Sequence, residues 1–208
     1  MTRAVLWDVD TQVDFMLPGG RLYVPGAEET RPAMALLVES ARAAGVVHVA
    51  SADDHELTDP EISASPDFES TYPPHCLRGT RGAQKIAETE QADPLLLAAT
   101  PWPSALLRGL VGGRREILLL KKTPSVFSNP SAEPLLGVLD PAEVVVFGVA
   151  TDVCDDAVIL GLLDRGRRVA FVEDAARGLS AERVAHCTEV WRRRGVRFTT
   201  AAEVAAGW

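Results

Sequence analysis

The residue best placed to act as a nucleophile is Cys154, which follows an apolar run at residues 144–149 and precedes a segment of helical period. At such a strand-to-helix junction, unpaired backbone N–H groups and the helix dipole favour a thiolate over a thiol. An isolated cysteine at this kind of corner is more often a small buried residue. Charged residues after other apolar runs favour the reactive interpretation for Cys154, whereas Cys187 has no such neighbours and is predicted to be buried.

Charged side chains follow three other apolar runs of the sequence. Asp10 comes just after the first run, Asp53 and His55 come after the second, and Lys121 with Lys122 after the third. Ligands of open parallel sheets bind outside the carboxyl ends of the strands. We therefore expect a carboxylate, an Asp-His pair suited to a metal, an ammonium group and a thiol to meet at one edge of a sheet.

These runs belong to a pattern in which short β-branched apolar segments alternate with segments of helical period. The alternation predicts an α/β fold, with a doubly wound, mainly parallel six-stranded sheet and helices on both faces. The predicted strands are residues 4–9, 46–50, 117–120, 144–149, 169–172 and 196–199. Helices are predicted around residues 36–44, 158–163, 182–194 and 201–206, with Gly45 and Gly166 as C-caps. The stretch 53–82 has no clear period, and long loops of this kind usually carry function.

Composition limits the domain organisation and the class of partner. The 208 residues are 47% hydrophobic and carry a formal charge of −8, which suits one domain over residues 1–208 with its own core. No basic run exceeds the triplet 192–194, so small molecules are expected as partners, and neither nucleic acid nor a membrane is. The N-terminus carries no secretory pattern, which predicts a cytoplasmic location.

Five short motifs occur in order along the chain. They are Asp10-x-Gln12-x-Asp14-Phe15, Asp53-x-His55, Pro73-Pro74-His75-Cys76 with Gly79-Thr80, Lys121 followed by Ser125-Val126-Phe127, and Gly148-Val149-Ala150-Thr151-Asp152-x-Cys154. In this order they resemble the isochorismatase-like cysteine hydrolases, and most closely the nicotinamidase branch of that family. The resemblance implies the same sheet architecture and the hydrolysis of a small carboxamide.

The resemblance places a catalytic triad on Asp10, Lys121 and Cys154. Asp10 would take the thiol proton and later deliver it to the leaving amine, as general base and then acid. Lys121 would favour negative charge on both Asp10 and the thiolate. Asp8 is less well placed because the family motif begins at Asp10, and Asp14 is interpreted as structural.

Two adjacent lysines compete for one place in this site. The side chains of Lys121 and Lys122 point to opposite faces if the strand continues through both, so only one can enter the site. With Phe127 as the anchor, Lys121 aligns with the family, whereas Lys122 would need a one-residue gap. Lys121 is therefore the predicted catalytic lysine and Lys122 the exposed one.

The turn before the nucleophile implies an oxyanion hole, again by resemblance. In relatives a cis peptide precedes the residue equivalent to Ala150. The backbone N–H groups of Ala150 and Cys154 would then face the substrate oxygen. A cis bond between Val149 and Ala150 is an expectation from the family, because sequence alone does not show one.

The resemblance also implies a metal site. Asp53, His55 and His75 would be ligands, and Glu61 would be the fourth because nicotinamidases place a ligand several residues after the first histidine. Acidic competitors in the same loop are Glu56, Asp59, Asp67 and Glu69. A donor set rich in oxygen accepts Zn²⁺, Mn²⁺ or Fe²⁺. One divalent metal ion is predicted, with zinc favoured over manganese or iron.

The resemblance also bears on the substrate. Phe15 and Tyr72 fall where relatives place aromatic residues against a flat heteroaromatic ring. The leading hypothesis is hydrolysis of nicotinamide to nicotinate and ammonia through a Cys154 thioester. The alternatives are a family amidase that acts on a carbamoyl, ureido or other small amide, and a non-catalytic binding domain of the same fold. Relatives often assemble, so a homo-oligomer is expected.

Overall fold

The computed structural model describes residues 4–208, except for the side chain of Ser104. Its strands are β1 (Ala4–Val9), β2 (Val47–Asp53), β3 (Leu95–Leu97), β4 (Glu116–Lys121), β5 (Glu143–Val149), β6 (Val169–Arg177) and β7 (Arg197–Thr199). Its helices are α1 (Val13–Met16), α2 (Arg31–Ala44), α3 (Ser104–Val111), α4 (Ala132–Leu139), α5 (Asp156–Asp164), α6 (Ala181–Arg193) and α7 (Ala201–Ala206). No helix within residues 4–208 is long and apolar enough to cross a membrane.

All seven strands pair in parallel in one sheet, in the order β3-β4-β2-β1-β5-β6-β7. Alternate residues of β1 enter two hydrophobic clusters, one on each face of the sheet. Trp7 packs in the cluster that includes Leu135 of α4 and Trp191 of α6, whereas Leu6 packs in the one that includes Leu37 of α2. Helices therefore cover both faces, which confirms the doubly wound architecture.

The predicted helices and strands are largely confirmed, but the count of six strands is wrong. The seventh strand, β3, has only three residues, too few to show a period in the sequence. Helices α1, α3 and α4 were likewise not predicted. The residue Gly45 is the C-cap of α2 with a φ of 67°, as expected, whereas Gly166 lies one residue beyond the C-cap of α5, Arg165.

The stretch after β2 is a long loop, as its lack of period indicates. In residues 54–80 the structure has only turns, bends and two isolated bridges, His55 with Leu77 and Ile62 with Tyr72. The bridges fold the loop back over the end of β2. Residues far apart in this loop are thereby brought to the same edge of the sheet.

Four adjacent strands deliver the charged residues to that edge. Strands β4, β2, β1 and β5 are neighbours and all parallel, so their carboxyl ends lie side by side. These ends carry Lys121, Asp53, Asp10 and the turn after Val149. A glycine is required at Gly148 in β5, because a Cβ there would collide with the backbone carbonyl of Val9 in β1.

Candidate active site

Lys121 ends β4 with a completely buried side chain. Its Nζ lies 2.8 Å from Asp10 Oδ2 and 3.7 Å from Cys154 Sγ, and it also forms an ion pair with Asp53. Burial lowers the pKa of an ammonium, yet the Asp10 and Asp53 carboxylates outweigh it and keep the pKa of Lys121 well above its usual value. The structure thus brings the predicted triad together around one cation.

Lys122 points away from the triad. Its Nζ lies 2.8 Å from Asp59 Oδ2, and 30% of its side chain is exposed. The same Asp59 oxygen lies 3.4 Å from His55 Nδ1. Lys121 is the last residue of β4 and Lys122 follows the strand, and only the side chain of Lys121 reaches Asp10 and Cys154.

Asp10 follows the last residue of β1 in the left-handed region, with a φ of 49°, which aspartate tolerates better than most residues. Ser51 Oγ donates a hydrogen bond of 2.7 Å to Asp10 Oδ1. Burial raises the pKa of Asp10 by more than Lys121 lowers it, and the negative charge of Asp53 adds to the rise. A carboxylate with a raised pKa is suited to exchanging a proton with a neighbouring thiol.

Cys154 lies in a turn of π-helix, Thr151–Asp155, between β5 and α5. Its Sγ accepts a hydrogen bond of 3.7 Å from Lys121 Nζ, and the same ammonium pairs with Asp10. Burial raises the pKa of the Cys154 thiol well above its usual value, although Lys121 opposes the rise. Burial penalises the charged form of the thiol by more than Lys121 favours it, which opposes the preference for a thiolate expected at a helix start. The thiol needs a base, and Asp10 is placed to act as one.

The peptide bond between Val149 and Ala150 is cis, as the family resemblance implies. The carbonyl of Ala150 accepts hydrogen bonds from the N–H groups of Val153 and Asp155, which shape the turn around the nucleophile. Ala150 and Cys154 both line the cavity described below. Their role as an oxyanion hole stays a prediction.

Four buried side chains from β2 and the following loop form a candidate metal site. Asp53, His55, Glu61 and His75 each offer a ligand atom, and these atoms all lie within 4.8 Å of one another. The Nε2 atoms of His55 and His75 lie 3.7 Å and 3.5 Å from Asp53 Oδ2. Within the described residues, His55 Nε2 and Glu61 Oε2 are buried without a hydrogen-bond partner. Two imidazoles and two carboxylates with such unsatisfied atoms fit one divalent ion.

The outer nitrogens of both imidazoles also have partners. His75 Nδ1 lies 2.8 Å from the carbonyl of Pro73, and His55 Nδ1 faces Asp59. Partners of this kind fix the orientation of ligand rings. Asp59 is thus placed behind a ligand, and the other acidic competitors, Glu56, Asp67 and Glu69, are exposed. Among these loop carboxylates, Glu61 is the one that joins the cluster.

The pKa values of the two carboxylates of the cluster are shifted in opposite directions. Burial opposes the ionisation of Asp53, but Lys121 and the two histidines outweigh it and hold the pKa of Asp53 well below its usual value. Burial, with the charge of Asp53 added, raises the pKa of Glu61 to about 7. A bound cation favours the ionised form of its ligands.

A cavity lies between Cys154 and the metal cluster, and Asp53, Glu61 and His75 of that cluster are part of its wall. The predicted aromatic residues, Phe15 and Tyr72, both line it, and their ring centroids lie 5.3 Å and 6.2 Å from that of His75. Its remaining walls are aliphatic and are formed by Leu22, Val24, Pro124, Val153 and Leu179. Such walls suit a small ligand that is mostly apolar, with polar groups only at the cysteine and at the metal cluster.

Comparison with known proteins identifies the family. A family model described as an isochorismatase domain matches residues 4–203. The chain belongs to the isochorismatase family. It is similar to the nicotinamidase/pyrazinamidase of Mycobacterium tuberculosis, with 31% identity over 198 residues that cover 90% of this chain and 94% of that protein. The resemblance to the nicotinamidase branch is therefore confirmed, and with it the prediction of a hydrolase.

Solved structures with the isochorismatase-family fold superpose over almost the whole chain. A pyrazinamidase of Pyrococcus horikoshii in complex with zinc has a TM-score of 0.75 at 23% identity, covering 95% of this chain and 99% of that one. An N-carbamoylsarcosine amidase from Thermoplasma acidophilum has a TM-score of 0.72 at 22% identity, covering 96% of both. At these identities the likeness shows the fold, and a fold alone does not select a substrate.

Some site residues of this isochorismatase-family protein were missed by sequence reasoning. Ser51, which binds Asp10, precedes Asp53 by two residues in β2, so its position near a strand end could have indicated it. The aliphatic cavity walls come from four separate segments without a shared period. Nothing in the sequence marks residues such as Leu22 or Leu179 as neighbours of Cys154.

Proposed function

We propose that this protein is a metal-assisted cysteine amidohydrolase that converts nicotinamide to nicotinate and ammonia. The position of Lys121 carries the proposal, because its ammonium pairs with Asp10 and Asp53 and lies 3.7 Å from Cys154 Sγ. One cation thus joins the nucleophile and its base to the metal cluster. The name of the Mycobacterium relative, nicotinamidase/pyrazinamidase, supports the choice of substrate.

In the first half of the reaction, Cys154 Sγ attacks the amide carbon while its proton passes to Asp10. The carbonyl oxygen becomes negative and accepts hydrogen bonds from the backbone N–H groups of Ala150 and Cys154. The C–N bond then breaks, and ammonia leaves with the proton from Asp10. The product of this half is a thioester on Cys154.

In the second half, water attacks the thioester carbon and gives a proton to Asp10. The C–S bond breaks, the acid is released, and the thiolate of Cys154 recovers a proton from Asp10. Lys121 offsets the negative charge that moves between Asp10 and the sulfur. Each residue of the triad thereby returns to its starting state.

Asp53, His55, Glu61 and His75 would hold the metal ion, for which zinc is our choice over manganese or iron. When bound, the ion supplies a Lewis-acid position for a ring nitrogen and so orients the substrate. The two imidazoles and the zinc complex of the Pyrococcus neighbour support zinc. Phe15 and Tyr72 would contact the faces of the pyridine ring.

The test is ammonia release from nicotinamide by the purified protein, with Cys154→Ala and Cys187→Ala as a matched pair. Cys187 is a buried cysteine of α6 outside the cavity wall, so its loss should leave the activity nearly unchanged. Release that persists in Cys187→Ala and disappears in Cys154→Ala would support the proposal.

A panel of carbamoyl and ureido amides belongs in the same assay. If ammonia is released from one of these amides and none from nicotinamide, the proposed substrate is wrong. The proposed cysteine mechanism would still stand. No release from any amide by metal-loaded protein would favour a non-catalytic binding domain. The cytoplasmic location and the homo-oligomer stay predictions.

A further inference from the structure

Gln12 lies two residues after Asp10 with its side chain completely buried. Its Nε2 donates hydrogen bonds of 2.8 Å to the carbonyls of Asp53 and Ala83. Its Oε1 accepts a hydrogen bond of 2.7 Å from the N–H of Asp53. One side-chain amide therefore satisfies both backbone polar groups of Asp53.

This pairing occurs where a strand neighbour is missing. The ladder between β1 and β2 ends with Val9 opposite Ser51, two residues before Asp53. On its other side, Asp53 still pairs with Lys121 of β4. The Gln12 amide takes the place of the absent β1 backbone and continues the hydrogen bonding to the last residue of β2.

The orientation of Asp53 matters because its two carboxylate oxygens face different groups. Oδ1 forms the ion pair with Lys121, and Oδ2 faces the Nε2 atoms of His55 and His75. A rotation of the Asp53 backbone would move both oxygens. Metal ligation and the charge balance of Lys121 would then change together.

Gln12 also connects this strand end to the chain that returns from the loop. Ala83, whose carbonyl accepts its second hydrogen bond, lies eight residues after His75 in the sequence. The neighbouring backbone is paired as well, with Ile86 N–H donating to the Thr11 carbonyl. The Gln12 amide thus joins the strand end that carries Asp53 to the segment that follows His75.

We propose that Gln12 is a positioning residue of the metal site, which holds Asp53 so that its carboxylate serves Lys121 and the metal ion at once. Gln12 is not part of the cavity wall, so it acts through Asp53 and not on the substrate. The inference rests on the proposed metal function of Asp53, His55, Glu61 and His75. The experiment must therefore distinguish two results: that Gln12 does not position the site, and that these four residues do not bind a metal ion.

The experiment is a Zn²⁺ titration of the full chain against a competing chelator, for wild type, Gln12→Met and Gln91→Met. Gln91 is a matched control: it is also buried, and its Nε2 donates to the carbonyl of His48 in β2 at 2.9 Å. It lies away from the metal cluster, so its loss tests only the structural cost of removing an amide. We expect Zn²⁺ affinity to fall about 10- to 100-fold in Gln12→Met and by less than about 2-fold in Gln91→Met.

The outcomes distinguish the two claims. If the wild-type protein binds no Zn²⁺, the proposed metal site is wrong, and so is the role of Gln12 in positioning it. If wild type and Gln12→Met bind Zn²⁺ with the same affinity, Gln12 does not position the site. The proposal of a metal site would still stand. A purely structural role would lower the stability of both glutamine variants without separating their Zn²⁺ affinities.

A second variant and a measurement on the wild type cover the case in which Gln12→Met does not fold. Gln12→Glu keeps the acceptor for the Asp53 N–H and loses both donors, so the same loss of Zn²⁺ affinity is expected. In the unmodified protein, the Asp53 amide hydrogen should exchange slowly because Gln12 Oε1 accepts it. Exchange of that amide as fast as in the exposed loop would contradict the inference.

Discussion

The Nζ of Lys121 lies 2.8 Å from Oδ2 of Asp10, and both side chains are completely buried. Removing one member of a buried ion pair leaves an uncompensated charge, which costs far more than losing a surface pair. Asp53 shares the same ammonium, so two buried carboxylates depend on it. Activity and stability are therefore coupled at Lys121.

Lys121→Met should lower both the activity and the stability of the protein. We expect kcat/KM for nicotinamide to fall at least about 100-fold, because the cation next to the reacting sulfur is lost. The free energy of unfolding should fall by about 3–5 kcal/mol, because Asp10 and Asp53 stay buried without a counter-charge. The control is Lys122→Met, measured by the same assays and by urea unfolding. Equal effects of the two substitutions would show that the choice between the lysines is wrong.

The metal site predicts a ligand-dependent rise in melting temperature. At a free Zn²⁺ concentration of about 100 times Kd, binding stabilises the folded state by about 2.7 kcal/mol. For a chain of this size that corresponds to a rise of roughly 5–10 °C, which a chelator should reverse. Glu61→Gln should lose most of this rise, because it replaces a carboxylate of the cluster.

Glu69→Gln is the matched control for that measurement. It removes an exposed carboxylate from the same loop, outside the cluster. The rise in melting temperature should therefore be retained. If Glu61→Gln behaves like Glu69→Gln, Glu61 is not a ligand, and Asp53, His55 and His75 would hold the metal without it.

The sequence was informative where chemistry is tied to strand ends. Asp10, Asp53, Lys121 and Cys154 all lie at or just after the carboxyl ends of strands that are parallel and adjacent, so topology alone brings them to one edge. The pairing of Asp53 with His55 was likewise predictable, because the two residues are close together in the sequence.

Features that depend on tertiary contacts were not predictable in this way. The three residues of β3 form a strand because they pair with β4, not because of a period of their own. The pKa of Cys154 depends on how completely the surrounding segments bury it. The sequence indicates a helix start at that position, which by itself favours a thiolate, and burial reverses this preference.

The aromatic side chain of Tyr72 should contribute to substrate binding more than to chemistry. Tyr72→Leu is expected to raise KM for nicotinamide about 3- to 10-fold with little change in kcat, because ring contacts present in both ground and transition states are lost. KM for an aliphatic amide should rise less. The control is Phe68→Leu, since Phe68 packs against Tyr72 but is 55% exposed and lies outside the cavity wall. A fall in kcat at constant KM would argue against ring binding by Tyr72.

Asp155, directly after the nucleophile, is completely buried. Burial raises the pKa of Asp155 well above its usual value, and the negative charges of Asp10, Asp152 and Asp8 add to the rise. Within the described residues, neither carboxylate oxygen of Asp155 has a hydrogen-bond partner. Neighbours from β1 and from its own turn thus favour the neutral acid. We therefore expect Asp155 to keep its proton in the folded protein at pH values where the unfolded chain has released it.

That difference makes stability depend on pH in a defined direction. A group with a raised pKa in the folded state contributes its full stability below its unfolded pKa of about 3.8, and the contribution is lost as pH rises toward the folded value. Asp155→Asn has no proton to lose, so its stability relative to wild type should increase as the pH rises from 5 to 8, by up to about 1.4 kcal/mol per pH unit. Urea unfolding at both pH values measures this, with Asp164→Asn as control because Asp164 is 65% exposed in a surface ion pair. If wild type and Asp155→Asn lose or gain stability in parallel across this range, Asp155 is ionised in the folded protein.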